Sequence, residues 1–597
     1  MFHKKLVSLL FCFLIFISPC FCSAEIDKTK YITIDEITPG MDAYCLTVYE
    51  GVEPAKYNLK VVSVVRNIAP NRNAILVMGT DEAFIHTGPV AGCSGSPVYI
   101  NGRLAGAMSF GWTFSKDPLY GVTPIDEMLN AGKYQSPADT STASVLDFTK
   151  PLDLKTSYNQ MMNYRQSQNL SGGITELACP IATNLPQSSF AGLNNAFESA
   201  GFIPVSAGSA AGSFPQYQNV EFTPGGILAL PLVYGDIDLS AIGTVTEVAD
   251  GKIYAFGHSM FGQGPIDVPM ATGYVHTVVA SVARSFKFGQ PIDIKGALYA
   301  DQSVAVVGKI GKKAVTIPMS IKVDRFNDEK VRTYNCSVAV HNHFTPLLTG
   351  ACLSGAATML GALPTEHTVL YKTRIGIKGY DPVVIENFSS SADLEEYLSD
   401  SIGALNVIMN NPYDRPQITS IDSEVKILPQ MQVSHIWSFE VSQTRVAPGQ
   451  TITAKITIES YLESANKIYT TEIKIPDDAV PGEYILTAGG FDEYRMLVMR
   501  LAQYRFTPEN FPDLIKIIND VGNMKRNCLY VTLPLPASGI AIEKSQLPQL
   551  PVTKSILLKN DKRAMTTQQD SDWIEKIIPV DTVVLDSKTF TIIVEKD

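Results

Sequence analysis

The sequence predicts a mainly β protein with several domains. The chain has 597 residues, which exceeds one ordinary domain and suggests three or four. It contains 42 glycines and 36 prolines, a content typical of an architecture with many tight turns. Hydrophobic residues make up 45% of the chain and charged residues 18%, as in packed globular proteins and unlike disordered ones. We therefore expect short strands joined by turns.

The N-terminus has the features of an export signal. A basic stretch, Met1–Lys5, precedes the apolar run Leu6–Cys22. Small residues follow at Ser23 and Ala24, so a cleaved signal peptide is expected over residues 1–24. An uncleaved anchor is the alternative, because the apolar run reaches the lower length limit for spanning a bilayer. We expect an exported chain in the periplasm, the cell envelope or outside the cell, with membrane contact only if this segment stays attached.

Charge and cysteine spacing exclude several classes of function. The net charge is −11, and the chain has no block of five or six lysines and arginines. Phosphate contacts need clustered cations, so we expect no nucleic-acid partner. The cysteines after the N-terminal segment are scattered, without CxxC spacing, and therefore indicate no metal site. Nothing in the sequence indicates an organic cofactor.

Residues 31–130 are predicted to be a segment of short strands. Leu59–Val65 and Ala74–Met78 are rich in β-branched and aliphatic residues. Further along, the dipeptide Asn101-Gly102 separates two apolar runs. Asn-Gly in that position is the strongest short hairpin signal, because both turn residues must take positive φ. A hairpin is therefore expected directly after the stretch VAGCSGSPVYI.

This stretch has the composition expected around a reactive serine. Acyl transfer needs an activated hydroxyl and two N–H groups directed at the developing oxyanion. A glycine two residues before Ser94 lets the backbone curl, so that the N–H groups of Gly92 and Ser94 converge. Gly95 leaves room for a substrate beside the hydroxyl. The alternative is an ordinary Gly/Ser turn without chemistry.

His258 is the candidate general base. It follows the strand predicted for Lys252–Phe256, and small residues on either side leave its imidazole accessible. His86 is an alternate candidate, since it lies only eight residues before Ser94. So short a separation fits a residue that lines the approach to the site better than it fits the base.

Two aspartates are candidates for the acid that orients the base. Asp81 lies thirteen residues before Ser94 and follows the strand that ends at Met78. Asp267, in a turn bounded by Pro265 and Pro269, is the alternate candidate. Either carboxylate could instead be a solvated turn acid or a helix cap.

The rest of the chain divides into further regions with different patterns. A small β-sandwich of the immunoglobulin type is expected toward the C-terminus, because Thr451–Ile458 alternates with a period of two residues. The regions expected are a linker with a short helix over 131–224, a histidine-bearing β segment over 225–400, the sandwich over 431–490 and a small α/β end region over 491–597.

The serine segment resembles that of the SpoIVB-type sporulation serine peptidases. GCSGSPVYINGRLAGAMSFGW, followed by GVTPIDEML, is similar to the family's GMSGSP motif, its hairpin and its short helix. The runs Gly243–Thr246 and Tyr254–His258 resemble the family's histidine segment. The resemblance covers about residues 35–130 and 225–325.

This resemblance implies a trypsin-like fold of two β-barrels that carries a serine, a histidine and an aspartate. These roles fall on Ser94, on His258 and, at a spacing two residues shorter than in the family, on Asp81. In the family the histidine segment precedes the serine segment, whereas here it follows. A rearranged order can still assemble a triad, because geometry defines the site. Cys93 stands where the family has methionine and is expected to be a packed side chain.

The sequence thus predicts an exported serine endopeptidase that cleaves protein or peptide substrates through an acyl-enzyme on Ser94. The family's regulatory role implies limited cleavage of a few substrates, with self-cleavage as one further reaction. The alternative is a catalytically inactive envelope scaffold that binds partners through the barrels and the sandwich. The distance between Ser94 and His258 discriminates the two, because a base must lie within about 2.6–3.2 Å of the hydroxyl.

Overall fold

The computed structural model describes most of the chain between residues 26 and 595. The predicted signal peptide lies outside the described residues. No helix among the described residues is long and apolar enough to cross a membrane. The positions in that span left undescribed are 71, 113–114, 134–145, 164–173, 191, 208–214, 218, 263, 392, 464, 537–538, 543, 548–551 and 559–566.

The first part of the chain forms a closed barrel of six strands. The strands of this part are β1 (Asp42–Thr47), β2 (Ala55–Ala69), β3 (Arg72–Gly79), β4 (Val90–Ala91), β5 (Pro97–Ile100), β6 (Arg103–Trp112), β7 (Leu119–Pro124) and β8 (Ile174–Glu176). The order is β5-β1-β2-β3-β7-β6, and pairing of β5 with β6 closes the ring. β8 adds to β6 outside the ring. Apolar side chains on alternate strand positions, such as Cys45, Val61 and Val77, are buried together inside it.

The predicted Asn-Gly hairpin is confirmed. Asn101 and Gly102 join β5 to β6 with φ values of 50° and 74°. Both values lie in the left-handed region that favours asparagine and glycine. β5 begins at Pro97, so the hairpin anchors the C-terminal end of the serine motif to the barrel.

A second closed barrel of six strands follows. The strands of this part are β9 (Cys179–Thr183), β10 (Phe202–Ser206), β11 (Ile227–Gly235), β12 (Leu239–Ala249), β13 (Lys252–Ala255), β14 (Gly264–Val279), β15 (Ser285–Gln302) and β16 (Ala305–Ile310). The ring runs β12-β13-β16-β15-β14-β11, and β11 pairs with β12 to close it. β9 and β10 extend the sheet from β12. The prediction of a mainly β fold with two barrels is therefore confirmed.

The sheet continues beyond the second barrel and is covered by helices. Its added strands are β17 (Thr316–Arg325), β18 (Arg332–Ala339), β19 (Thr368–Ile377), β20 (Val383–Ser389) and β21 (Ile418–Leu428). The α-helices among the described residues are α1 (Glu82–Thr87), α2 (Ile125–Met128), α3 (Leu154–Met162), α4 (Asn194–Ser199), α5 (Phe344–Thr358), α6 (Glu395–Met409), α7 (Phe491–Leu501), α8 (Phe511–Gly522) and α9 (Val552–Leu558). Every residue of α5 is buried, so this helix lies inside the largest hydrophobic core.

Two regional boundaries differ from those expected. The described part of 131–224 is a packed region, because Ser157 on α3 bonds to Gly403 and Asn406 on α6 and β9 is buried along its whole length. The region 225–400 is a barrel only as far as β16. Its remaining strands and helices form the extended sheet and its cover.

The C-terminal part is a β-sandwich that extends well past residue 490. The strands of this part are β22 (Val433–Val441), β23 (Arg445–Val446), β24 (Thr451–Ser460), β25 (Lys467–Lys474), β26 (Gly482–Gly489), β27 (Cys528–Pro534), β28 (Gly539–Ile542), β29 (Ser545–Leu547), β30 (Thr567–Asp570), β31 (Trp573–Pro579), β32 (Val583–Val584) and β33 (Ser587–Val594), of which β28, β29 and β30 form a separate small sheet. One sheet is β25-β24-β22-β32, and the facing sheet is β23-β33-β26-β27-β31. Strands from the expected end region therefore complete the sandwich.

Candidate active site

The turn that carries Ser94 lies between the two barrels. It connects β4 to β5, and β4 pairs in parallel with β15 of the second barrel. The backbone N–H of Thr244 on β12 donates to the Ser94 carbonyl at 2.9 Å. Gly95 has a φ of 93°, and a Cβ there would lie 1.9 Å from the Thr244 carbonyl oxygen. Glycine is therefore required at this position both by conformation and by space.

The loop after β13 places His258 opposite Ser94. Phe256 and Gly257 take φ values of 65° and 72°, which turn the chain sharply. The hydroxyl of Thr123 donates to the Gly257 carbonyl at 2.6 Å and ties the loop to the first barrel.

A buried carboxylate holds the far side of the same loop. Asp301 on β15 accepts hydrogen bonds from the N–H groups of Met260, Phe261 and Gly262, at 2.8, 2.6 and 2.9 Å. Burial raises the pKa of Asp301 to about 6, although the three N–H groups favour its charged form. The loop is therefore fixed immediately after the histidine.

Ser94 and His258 are within hydrogen-bond distance. The Nε2 atom of His258 lies 2.8 Å from the Ser94 Oγ, and the two residues are 1% and 4% exposed. A nucleophile and its base need this separation. The geometry is the one expected for the enzyme, in spite of the 164 residues between the two side chains and their order along the chain.

Glu176 supplies the carboxylate beside the histidine. Its Oε2 lies 3.4 Å from the His258 Nδ1, and the Ser259 carbonyl lies 2.6 Å from the same nitrogen. Glu176 ends β8, which is held against β6 by pairing with Phe110. Burial disfavours the charged imidazole, but the Glu176 charge and the hydrogen bonds to Glu176 and Ser259 outweigh it. The pKa of His258 is therefore raised above its ordinary value.

Neither aspartate proposed from the sequence is brought to the histidine. Asp81 precedes α1, and its carboxylate accepts hydrogen bonds from the backbone N–H and the side-chain amide of Asn58 on β2. Asp267 pairs with Lys312 at 2.7 Å and accepts from the Val315 N–H at 2.8 Å. Both carboxylates are bonded to other strands or loops of the barrels, and the carboxylate that lies beside His258 is that of Glu176.

His86 lies at the surface, whereas Cys93 lies in the interior. His86 is exposed on α1 and lines a cleft of about 440 Å³ that His258 and Glu176 also line. Cys93 is fully buried and contacts the Thr47 hydroxyl at 3.9 Å. The cleft is open to solvent at exposed apolar side chains, including Ile85 and Val282.

The Gly92 N–H, one of the two predicted oxyanion donors, is hydrogen-bonded to a carbonyl of the chain itself. The N–H of Gly92 donates to the Ala178 carbonyl at 3.2 Å, and Gly92 has a φ of 92°. Among the described residues, the N–H of Ser94 has no acceptor. The Gly92 N–H is thus oriented toward a peptide carbonyl oxygen, the atom type that a substrate would present.

Leu177, the residue before Ala178, lies directly against Ser94. The Ser94 hydroxyl donates to the Leu177 carbonyl at 3.2 Å, while the Leu177 N–H donates to the Ser109 carbonyl at 3.0 Å. A hydroxyl carries one hydrogen, so Ser94 donates either to the Leu177 carbonyl or to the His258 Nε2, and the two contacts compete for it. The Ser259 carbonyl at 2.6 Å places a proton on His258 Nδ1.

Two closed six-stranded barrels with a serine and a histidine paired between them define the trypsin-like class of serine peptidases. Residues 22–129 match the model of the SpoIVB peptidase S55 family. This segment is similar to that family, and the match identifies the chain as a serine peptidase, a hydrolase. The match includes Ser94, whereas Glu176, His258 and the second region of resemblance lie outside it. Neither the curated proteins nor the solved structures contain a match to the chain.

Proposed function

We propose that the chain is an exported serine endopeptidase that acts through an acyl-enzyme on Ser94. The contact of 2.8 Å between the Ser94 Oγ and the His258 Nε2 is the observation that carries this proposal. Ser94 attacks a peptide carbonyl, and the neutral His258 accepts its proton through Nε2. The same nitrogen then gives the proton to the leaving amine, and water hydrolyses the acyl-enzyme.

Glu176 and the Ser259 carbonyl act on the other nitrogen of the base. Both lie near Nδ1, so they fix the tautomer that leaves Nε2 free to accept a proton. The Glu176 charge also stabilises the imidazolium that forms during attack. The N–H groups of Gly92 and Ser94 bind the oxyanion in the tetrahedral intermediate.

The substrate in this proposal is an extended polypeptide segment that takes the place of Leu177 and Ala178. The carbonyls of these two residues lie on the Ser94 hydroxyl and the Gly92 N–H, the groups that a scissile peptide must contact. The chain must therefore move this short segment before it binds a substrate. Glu176 can stay in place during that movement, because β8 is held by its pairing with β6.

Digestion of an unfolded protein tests the proposal. The mature chain is incubated with reduced, carboxymethylated casein, and new N-termini are identified by mass spectrometry. Cleavage is expected with the native chain and with Ser63→Ala, a control serine on β2 of the same barrel, and no cleavage with Ser94→Ala. Equal cleavage by the native chain and Ser94→Ala would contradict the assignment.

A further inference from the structure

Lys287 is a buried lysine that the proposed reaction does not use directly. It lies on β15 and is 1% exposed. Its Nζ donates to the hydroxyls of Thr47 at 2.8 Å and Thr244 at 3.0 Å. No carboxylate among the described residues lies within ion-pair distance of it. Burial without an opposite charge is costly for an ammonium and lowers the pKa of Lys287, so the presence of this lysine needs an explanation.

Both hydroxyl partners of Lys287 lead to the serine turn. The Thr244 hydroxyl donates to the Gly92 carbonyl at 3.0 Å. The Thr47 hydroxyl accepts from the Ser96 hydroxyl at 3.0 Å and contacts the Cys93 Sγ at 3.9 Å. Two hydrogen bonds therefore connect the ammonium to the peptide unit next to a predicted oxyanion donor.

The lysine side chain also supports the turn by packing. A Cβ placed on Gly92 would lie 3.3 Å from three methylene carbons of Lys287. The methylene carbons of Lys287 thus pack against Gly92, and its Nζ lies at the hydroxyls of Thr47 and Thr244. This arrangement restricts the orientation of the Gly92 peptide.

We propose that Lys287 is a positioning residue for the oxyanion site, through Thr47 and Thr244, and that its charge favours the negative charge formed on the substrate. The inference rests on the proposed function. The resting site holds no negative partner for the ammonium among the described residues, whereas the tetrahedral intermediate provides one nearby. Lys287 therefore stabilises the transition state more than the ground state, which is the condition for raising the rate.

Inactivation by a fluorophosphonate tests this role, because the adduct forms through a charged, tetrahedral transition state at the serine. The inactivation rate constant and the half-saturating probe concentration are measured for the native chain and for Lys287→Met. We expect the rate constant to fall about 10- to 100-fold, somewhat less than the loss of a direct oxyanion donor. The half-saturating concentration should change less than about 2-fold. Lys295→Met, on the same strand but with its ammonium paired to the exposed Glu221, is the matched control and should match the native rate.

The melting temperature separates positioning from simple structural support. Replacement of a buried charge by an apolar side chain of similar length is often neutral or stabilising, so Lys287→Met should melt at or above the native temperature. Thr244→Val, which removes the hydroxyl that links Lys287 to the Gly92 carbonyl, should also lower the rate constant. Unchanged rate constants in both variants would overturn the inference, and so would a loss of rate that merely follows a lower melting temperature. A native chain that is not labelled at all would overturn the proposed function instead.

Discussion

Glu176→Gln is the substitution that most clearly tests how the base is tuned. The carboxylate lies 3.4 Å from the His258 Nδ1, which corresponds to about 5 kcal/mol at an effective dielectric constant of about 20. Glu176 keeps 19% of its side chain exposed, so the full value is an upper bound. Because the Ser259 carbonyl still holds Nδ1, the tautomer survives and the loss is mainly electrostatic. We expect the fluorophosphonate labelling rate at its high-pH plateau to fall about 10- to 100-fold, or about 1.4–2.8 kcal/mol.

The pH profile of labelling gives the sign of the same effect. Only neutral His258 accepts the serine proton, so the rate rises with pH through the pKa of His258. In the native chain this midpoint should lie above 6.5, because the pKa is raised. Removal of the Glu176 charge should move the midpoint down by about one to three pH units.

Asp81→Asn is the matched control for the identity of the acid. Its carboxylate bonds to Asn58, so this variant should label at the native rate and with the native pH midpoint. A loss of labelling in Asp81→Asn without one in Glu176→Gln would refute the reasoning. A midpoint that does not move in Glu176→Gln would refute the electrostatic part of it.

Three further substitutions have expected outcomes. Leu177→Gly loosens the segment on the serine and should raise the labelling rate severalfold while lowering the melting temperature, and an unchanged or slower rate would contradict its blocking position. Gly95→Ala should abolish labelling, because its Cβ would meet the Thr244 carbonyl. Gly102→Ala also has a positive φ, but its Cβ would stand in open space, so it should lower the free energy of unfolding in urea by only about 1 kcal/mol. Arg526→Met leaves Asp400, its buried partner at 2.7 Å, without a counter-charge. The free energy of unfolding in urea should therefore fall by about 3–5 kcal/mol, and a decrease below about 1 kcal/mol would contradict a stabilising role of the pair.

Local signals in the sequence were enough to predict the turn that carries the serine. The Asn101-Gly102 turn and the glycines of the serine motif take positive φ values, and a few neighbouring residues in the sequence are enough to predict such turns. The paired serine and histidine could also be proposed, because each stands in a conspicuous small-residue context. Their separation could not, since it depends on how the two barrels pack.

The carboxylate beside His258 could not be predicted, because its position depends on pairing between distant strands. Glu176 follows a polar stretch that has the composition of a linker, and only the pairing of β8 with β6 brings it to the histidine. Asp81 was favoured by its spacing from Ser94, but spacing along the chain does not determine which side of the turn a carboxylate reaches. Lys287 gave no signal either, because a single lysine in a strand is usually solvent-exposed.

Labelling of Ser94 is the most direct test of the central claim. The purified mature chain is treated with a fluorophosphonate probe at the high-pH plateau of its labelling profile, where His258 is neutral, and the modified residue is mapped by mass spectrometry. We expect a single adduct on Ser94 that is lost in both Ser94→Ala and His258→Ala. An unlabelled Ser94, or labelling that survives His258→Ala at the native rate, would contradict it.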